Sequence, residues 1–297
     1  MTSVEFFTDA ERFAAAIEPL VMRDCAGAVI VSHVLANQLS NPYPEAPLLA
    51  TVVDGGQIGV AALRVPSYPM AVTVDPALDD PAGQLAVLAD AVLARGEQVV
   101  GFVGRRLTAQ TMAQAWAGRT GSVATPRMWE LYYRLAELRE PVGVPGESRR
   151  AAMSDPADVA LLADWFCEFR RETGISRTPP VPDPDLLREN AKRGEVVLLW
   201  CVDGQPVAAA GHSAVRHGQC KIAPVYTPPG QRRHGYGAAV TAAAVRSAQR
   251  LGAGEITLFT DANYLPSNAC YRGLGFEMIG EFAEFDVAPA LLPTVVG

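Results

Sequence analysis

Arg232-Arg233-His234-Gly235-Tyr236-Gly237 decides how this chain is read. An apolar, β-branched run over 222–227 precedes it, and a long Ala-rich run with helical period follows it. A strand, an Arg-x-x-Gly-x-Gly turn and a helix in that order form an anion cradle. The first N–H groups of a helix have no partner inside the helix. The macrodipole places about half a positive charge at the same end, so a phosphate is held largely by backbone. Glycines at 235 and 237 remove the Cβ atoms that would keep a pyrophosphate away from that backbone. The spacing is neither the Gly-x-Gly-x-x-Gly of dinucleotide sites nor a Walker loop, which needs Gly-Lys-Ser/Thr.

Beyond the turn, a helix is expected over 236–251, stopped by Gly252 and Gly254. A buried strand over 255–260, a short helix over 267–274 and strands over 276–287 follow. On the other side, Val159, Leu162, Phe166 and Phe169 recur at helical spacing and predict a helix over 155–171, with Asp155 as cap and Pro156 in the first turn. The Pro-rich stretch 178–184 reads as a loop and 185–193 as a second short helix. A strand over 195–201, an Asp203-Gly204 hairpin turn and a returning strand over 207–215 complete the approach to the cradle. This order implies an α/β fold of the α+β kind: a mixed sheet with helices on its faces.

The first half repeats the pattern. Leu48-Leu49-Ala50-Thr51-Val52-Val53-Asp54-Gly55-Gly56-Gln57 mirrors Leu198-Leu199-Trp200-Cys201-Val202-Asp203-Gly204-Gln205. Helices are expected over 9–22, 29–38, 83–95 and 109–116, and strands over 99–103 and 129–135. Where the second half has its cradle, the first reads Val74-Asp75-Pro76-Ala77-Leu78-Asp79-Asp80-Pro81-Ala82-Gly83. Its aspartates would repel a phosphate, so the first copy is expected to have lost cofactor binding. Glu140-Pro141-Val142-Gly143-Val144-Pro145-Gly146-Glu147 is turn-forming and suggests a connection. The expected domains are therefore 1–138 and 148–297, joined by a linker over 139–147.

Composition narrows the function. No apolar run reaches the roughly 18 residues needed to span a bilayer. Met1-Thr2-Ser3-Val4-Glu5 carries no basic segment ahead of an apolar one, so a cytoplasmic location away from membranes is expected. The five cysteines are scattered without a Cys-x-x-Cys pair, which points to free thiols and no metal. A net charge of −7 with no basic patch argues against nucleic acid. Lys192 and Lys221 are the only lysines among 25 basic residues, a bias that fits a GC-rich, bacterial coding sequence. A monomer or a homodimer is expected.

Three motifs in order carry a resemblance. The first runs from Pro224-Val225-Tyr226-Thr227 through Arg232 to Gly237. The second is Asp261-Ala262-Asn263-Tyr264-Leu265-Pro266-Ser267-Asn268-Ala269-Cys270-Tyr271, and the third is Gly273-Leu274-Gly275-Phe276-Glu277. With them, residues 148–287 resemble the GCN5-related N-acetyltransferase (GNAT) superfamily. The first half resembles it only in strand pattern, as in tandem members with one degenerate copy. The resemblance implies two tandem acyl-CoA N-acyltransferase folds, and transfer of an acetyl group from acetyl-CoA to an amine of a small molecule or peptide by direct attack.

The resemblance also implies roles for single residues. The backbone of Arg233, His234, Gly235, Tyr236, Gly237 and Ala238 would cradle the CoA pyrophosphate, with Arg232 supplying charge. Val225, Tyr226 and Thr227 would lie where the family's strand splays from its neighbour, the backbone of Val225 and Thr227 pairing with pantetheine as a ligand strand would. Asn268 would donate an amide bond to the pantetheine arm, or else cap its helix. Tyr271 would protonate the departing thiolate. Relatives often carry an acidic base near the splay, but 220–224 has no carboxylate. His212, Glu168, Glu172 and Asp261 are the candidates, each with an ordinary structural explanation as well. That gap leaves open a non-catalytic acyl-CoA-binding or sensing protein. Aminoacyl transfer from tRNA is disfavoured by the acidic balance. Cys270, one residue from Tyr271, faces another direction on its helix, so no acyl-carrying nucleophile is expected.

Overall fold

Each half of the chain folds into the same succession of elements in the computed structural model, which describes residues 2–40 and 42–289. Met1, Asn41 and residues 290–297, the end of the expected second domain, lie outside the described residues. The first succession is β1 (Ser3–Phe7), α1 (Ala10–Arg23), α2 (Val29–Ser40), β2 (Leu48–Asp54), β3 (Gln57–Arg64), β4 (Met70–Val74), α3 (Pro81–Ala94), β5 (Gly101–Arg105), α4 (Arg106–Thr120) and β6 (Ser122–Leu135). The second is β7 (Glu147–Arg150), α5 (Pro156–Thr173), α6 (Pro184–Lys192), β8 (Val196–Val202), β9 (Gln205–His212), β10 (Gln219–Tyr226), α7 (Tyr236–Arg250), β11 (Glu255–Asp261), α8 (Leu265–Gly273) and β12 (Phe276–Pro289). The repeat read from the sequence is therefore complete, and the opening strands β1 and β7 are additions to it.

The compact units are divided differently from the expected domains. One comprises Met1–Glu130 with Gly280–Gly297, the other Leu131–Ile279. In the first unit the strands are hydrogen-bonded in the order β1-β2-β3-β4-β5-β12, and in the second in the order β7-β8-β9-β10-β11-β6. Each copy thus ends on a strand that completes the other copy's sheet: Phe282–Asp286 pair antiparallel with β5, opposite Arg105–Gly101. Hydrophobic patterning fixes a strand's faces but not which edge it joins.

The expected linker also differs. It belongs to the second unit: Arg139 N–H donates to the Leu274 carbonyl, Trp200 Nε1 donates to the Pro145 carbonyl at 2.9 Å, and Glu147 already pairs with Cys201. Proline and glycine there make turns rather than a free tether.

In the second unit, strand alternation sends side chains to two cores. Val196, Leu198, Ile222, Ile256 and Leu258 pack with Val240, Ala244 and Val245 of α7. Leu199, Cys201 and Ala209 face Leu162 and Phe166 of α5 and Leu187 of α6. Asp155 caps α5 by accepting from Ala157 N–H. Five of the six alanines of α7 (Ala239, Ala242, Ala243, Ala244, Ala248) are buried, which lets the helix lie close on the sheet. The first unit has the same layers, with α3 and α4 over one face and α1 and α2 over the other. No helix among the described residues is long and apolar enough to cross a membrane.

Candidate functional site

The site begins where two parallel strands part. β10 pairs with β11 at Gln219, Cys220 and Lys221 only, opposite Glu255, Ile256 and Thr257. Beyond Lys221 it follows β9 alone, with a register shift between Ile222 and Val225. Pro224 lies inside that shift and has no N–H to give to either neighbour. Val225 stands opposite Ala210 and packs against the α7-side core. The shift turns the next residue over, so Tyr226 points to α5, its ring 6.2 Å from Trp165 and its hydroxyl donating to Glu172 Oε1 at 3.2 Å. Burial and then the Glu172 charge push the Tyr226 phenol up.

After the strand, a short 3-10 turn (Pro229–Gln231) leads into the cradle. Arg233 and Gly235 take left-handed backbone, φ 67° and 82°. A Cβ at Gly235 would lie 2.9 Å from Val144 Cγ2, so glycine is required there twice over. His234 stacks on Tyr236 with ring centroids 5.4 Å apart. α7 has no side-chain cap, and its first internal bond is Ala239 N–H to the Gly235 carbonyl at 3.0 Å. The N–H groups of Tyr236, Gly237 and Ala238 are left for an external acceptor. Thr227 Oγ1 is 3.3 Å from where a Cβ on Gly237 would stand.

Arg232 has partners within the protein. Its Nε donates to the Thr227 carbonyl at 2.9 Å and its Nη2 to Glu172 Oε2 at 2.6 Å. It closes the turn and neutralises a carboxylate, so its charge is already matched within the protein.

Asn268 is also held within the protein. It is 1% exposed, and its Nδ2 donates to the carbonyls of Asp261 at 2.9 Å and Tyr264 at 3.1 Å. Its Oδ1 accepts from the Tyr133 hydroxyl at 3.4 Å. Both amide hydrogens therefore hold the turn between β11 and α8. Nor is it a cap, because α8 begins at Leu265. Tyr271 is 8% exposed and its ring packs edge-on against Phe276, centroids 6.0 Å apart. Its hydroxyl has no protein partner among the described residues and is not among the fully buried orphan atoms. Burial, with Cys270 nearby, pushes its pKa well up, so it stays a proton donor. Burial also raises the Cys270 thiol to about 11.

The four expected base candidates are all engaged. His212, 1% exposed, has Nδ1 2.8 Å from the Ser213 carbonyl and Nε2 3.0 Å from Ser247 Oγ, and burial lowers its pKa. Glu168 pairs with Arg171, Glu172 with Arg232 and Tyr226, and Asp261 accepts from Asn263 N–H. Glu195, half-buried at the head of β8, is the carboxylate the sequence reading passed over. Its carboxylate has no hydrogen-bond or ion-pair partner among the described residues, and burial raises its pKa against the opposing pull of Lys221 and Arg193. The signal was available: a lone acid opening the apolar run Val196–Val202.

At the corresponding place in the first unit, Asp80 caps α3, its Oδ1 accepting Gly83 N–H at 2.9 Å. A carboxylate of the chain occupies the helix end that α7 leaves open. Among the described residues no three His, Cys, Asp or Glu side chains cluster as metal ligands.

Comparison with known proteins agrees with this geometry. Residues 160–276 match the acetyltransferase (GNAT) family. No curated protein matches the chain. Among solved structures, a GCN5-related N-acetyltransferase from Kribbella flavida superposes with TM-score 0.55 at 20% identity, over 88% of this chain and 95% of that one. A tandem GNAT protein from the clavulanic acid biosynthesis pathway gives 0.60 at 14% identity, over 96% and 98%. A GCN5-related N-acetyltransferase from Sphaerobacter thermophilus gives 0.61 at 15% identity, over 95% and 94%. These likenesses show two tandem folds of one kind.

Proposed function

We propose that this chain, whose second unit belongs to the GNAT acetyltransferase family, transfers an acetyl group from acetyl-CoA to an amine of a small molecule or peptide. The observation that carries the reading is the parting of β10 from β11 after Lys221, beside the uncapped end of α7. The backbone N–H groups from Arg233 to Ala238 hold the pyrophosphate. The open edge at Val225 and Thr227 pairs with the pantetheine amides, as an added strand would. The amine attacks the thioester carbonyl directly, and Tyr271 gives its proton to the leaving thiolate. Thiol and phenol lie about 1.5 pKa units apart when unperturbed, and burial of Tyr271 widens that gap, so the transfer is uphill and is completed when Tyr271 regains a proton. The raised Cys270 thiol supports transfer without an acyl-enzyme.

One site per chain is proposed, because Asp80 fills the anion position of the first unit. The test is thiol release from acetyl-CoA across amino acids, polyamines, aminoglycosides and peptide N-termini. Turnover with at least one class, lost in Tyr271→Phe while CoA still binds, is the expected result. CoA binding with no turnover by any class would replace the enzyme with an acyl-CoA sensor.

A further inference from the structure

We propose that Glu195 accepts the proton of the incoming amine, an assignment that rests on the acyl-transfer reading above. A primary amine is an ammonium ion near neutral pH, and it cannot attack a thioester until it loses that proton. The expected place for a base, the stretch 220–224 of β10, holds no carboxylate. The structure supplies one from two strands away.

The register carries the placement. Val196 of β8 lies opposite His212 of β9, which lies opposite Ile222 of β10. One step back, Glu195 is level with Ser213, and Ser213 N–H donates to the Lys221 carbonyl at 2.9 Å. Lys221 is the last β10 residue paired with β11, so Glu195 stands level with the vertex of the splay. Faces agree as well as levels. Val196 and Leu198 pack toward α7, while Val197 and Leu199 pack toward α5 and α6; continuing the alternation puts Glu195 on the α5/α6 face. Cys220 and Ile222 face α7, so Lys221 shares the face of Glu195. Thr257 and Tyr132 lie on that same face of β11 and β6, since Ile256, Leu258, Leu131 and Tyr133 pack the other way. A polar row therefore crosses the sheet at the vertex. Two strand spacings put the Cα atoms of Glu195 and Lys221 about 10 Å apart. The Glu195 side chain and one water cover the remainder, a distance over which general bases act.

Elimination points the same way. Glu168, Glu172, Asp185 and Glu189 each hold a basic partner, while Glu195 holds none among the described residues. The charges acting on it are Lys221 of β10 and Arg193 just past α6; Ser213, just past β9, lies between and is neutral. The Glu195 carboxylate takes one proton from R–NH3+, directly or through water. The lone pair freed on nitrogen forms the N–C bond as the C–S bond breaks, the sulfur leaving with its electrons. The thiolate takes the Tyr271 proton, the amide nitrogen returns one to Tyr271 through solvent, and Glu195 releases its own. Net, an ammonium ion and acetyl-CoA give an amide, CoA thiol and one proton.

The test is steady-state kinetics of Glu195→Gln with acetyl-CoA and the fastest amine of the panel. Expected are a fall in kcat/KM of about 10²–10⁴, loss of the acid limb of the pH profile, and partial recovery in Glu195→Asp. Acetyl-CoA affinity stays within about twofold, because the CoA cradle is built from other residues. In Lys221→Met, which keeps Glu195, the acid limb moves to higher pH as the cation that lowers its pKa is removed. Unchanged kcat/KM and acid limb in Glu195→Gln would overturn the assignment, as would an acid limb unmoved in Lys221→Met should Glu195→Gln fail to fold. A wild-type protein that binds CoA but acetylates no amine defeats the enzyme reading itself, and this assignment with it.

Discussion

Gly235→Ala isolates the geometry on which the cradle depends. Gly235 has φ 82°, and an added Cβ would stand 2.9 Å from Val144 Cγ2. Left-handed backbone costs a non-glycine residue about 1–2 kcal/mol, and forcing a methyl group into an occupied space costs about 1 kcal/mol more. The sum is about 2–3 kcal/mol, or roughly 4–12 °C in Tm for a unit of this size. Urea unfolding followed by tryptophan fluorescence reads it, with Trp200 bonded to the carbonyl of Pro145, next to Val144. A double-mutant cycle divides the two contributions. Removing the Val144 methyls should recover the contact part, about 1 kcal/mol, and leave the backbone part in place. Arg233→Gly is the reciprocal change: φ 67° becomes free of strain and stability rises by up to about 1 kcal/mol. Acetyl-CoA affinity should fall in Gly235→Ala along with stability. A loss below about 0.5 kcal/mol in Gly235→Ala, or no relief from Val144→Ala, would refute the reasoning.

Three further outcomes are expected. Asp158, buried, takes two bonds from Arg149 at 2.6 Å and one from Ala152 N–H at 2.8 Å, and the Arg149 guanidinium holds its pKa down. Asp158→Asn should cost about 2–3 kcal/mol, less than for a fully buried pair because Arg149 is partly exposed. A depressed folded pKa contributes stability above the unfolded value and loses it as pH falls through the folded one, so wild-type and variant unfolding curves should converge as pH falls below about 4. Cys270, raised to about 11, should resist iodoacetamide near pH 8, with about 100-fold less thiolate than an unperturbed thiol, while the exposed Cys25 labels first in mass spectrometry. Isothermal titration should find about one CoA per chain, and removing the Asp80 cap in Asp80→Ala should lower stability by about 1 kcal/mol without moving CoA affinity.

Much of the fold was legible because its signals are local. Helical spacing in Val159, Leu162 and Phe166 yields α5, and Asp155 marks its start. The mirrored hairpins at 48–57 and 198–205 reveal two copies. The cradle was legible for the same reason, since consecutive residues build it. The protein partners of Arg232 and Asn268 were not legible, because Glu172 and Tyr133 lie 60 and 135 residues away. Neither was the importance of Glu195, which depends on strand register to acquire Lys221 as a neighbour.

By itself, the sequence determined that this chain carries two copies of one fold, and it pointed to an anion cradle in the second. Helix periods, turn glycines and the aspartates at 79 and 80 are properties of short segments, and short segments encode them. The tertiary structure decided three things: which strand completes each unit's sheet, that Arg232 is neutralised by Glu172, and that the Glu195 carboxylate has no partner among the described residues. Each depends on which distant groups meet, and edge choice, charge pairing and desolvation exist only after the chain has folded.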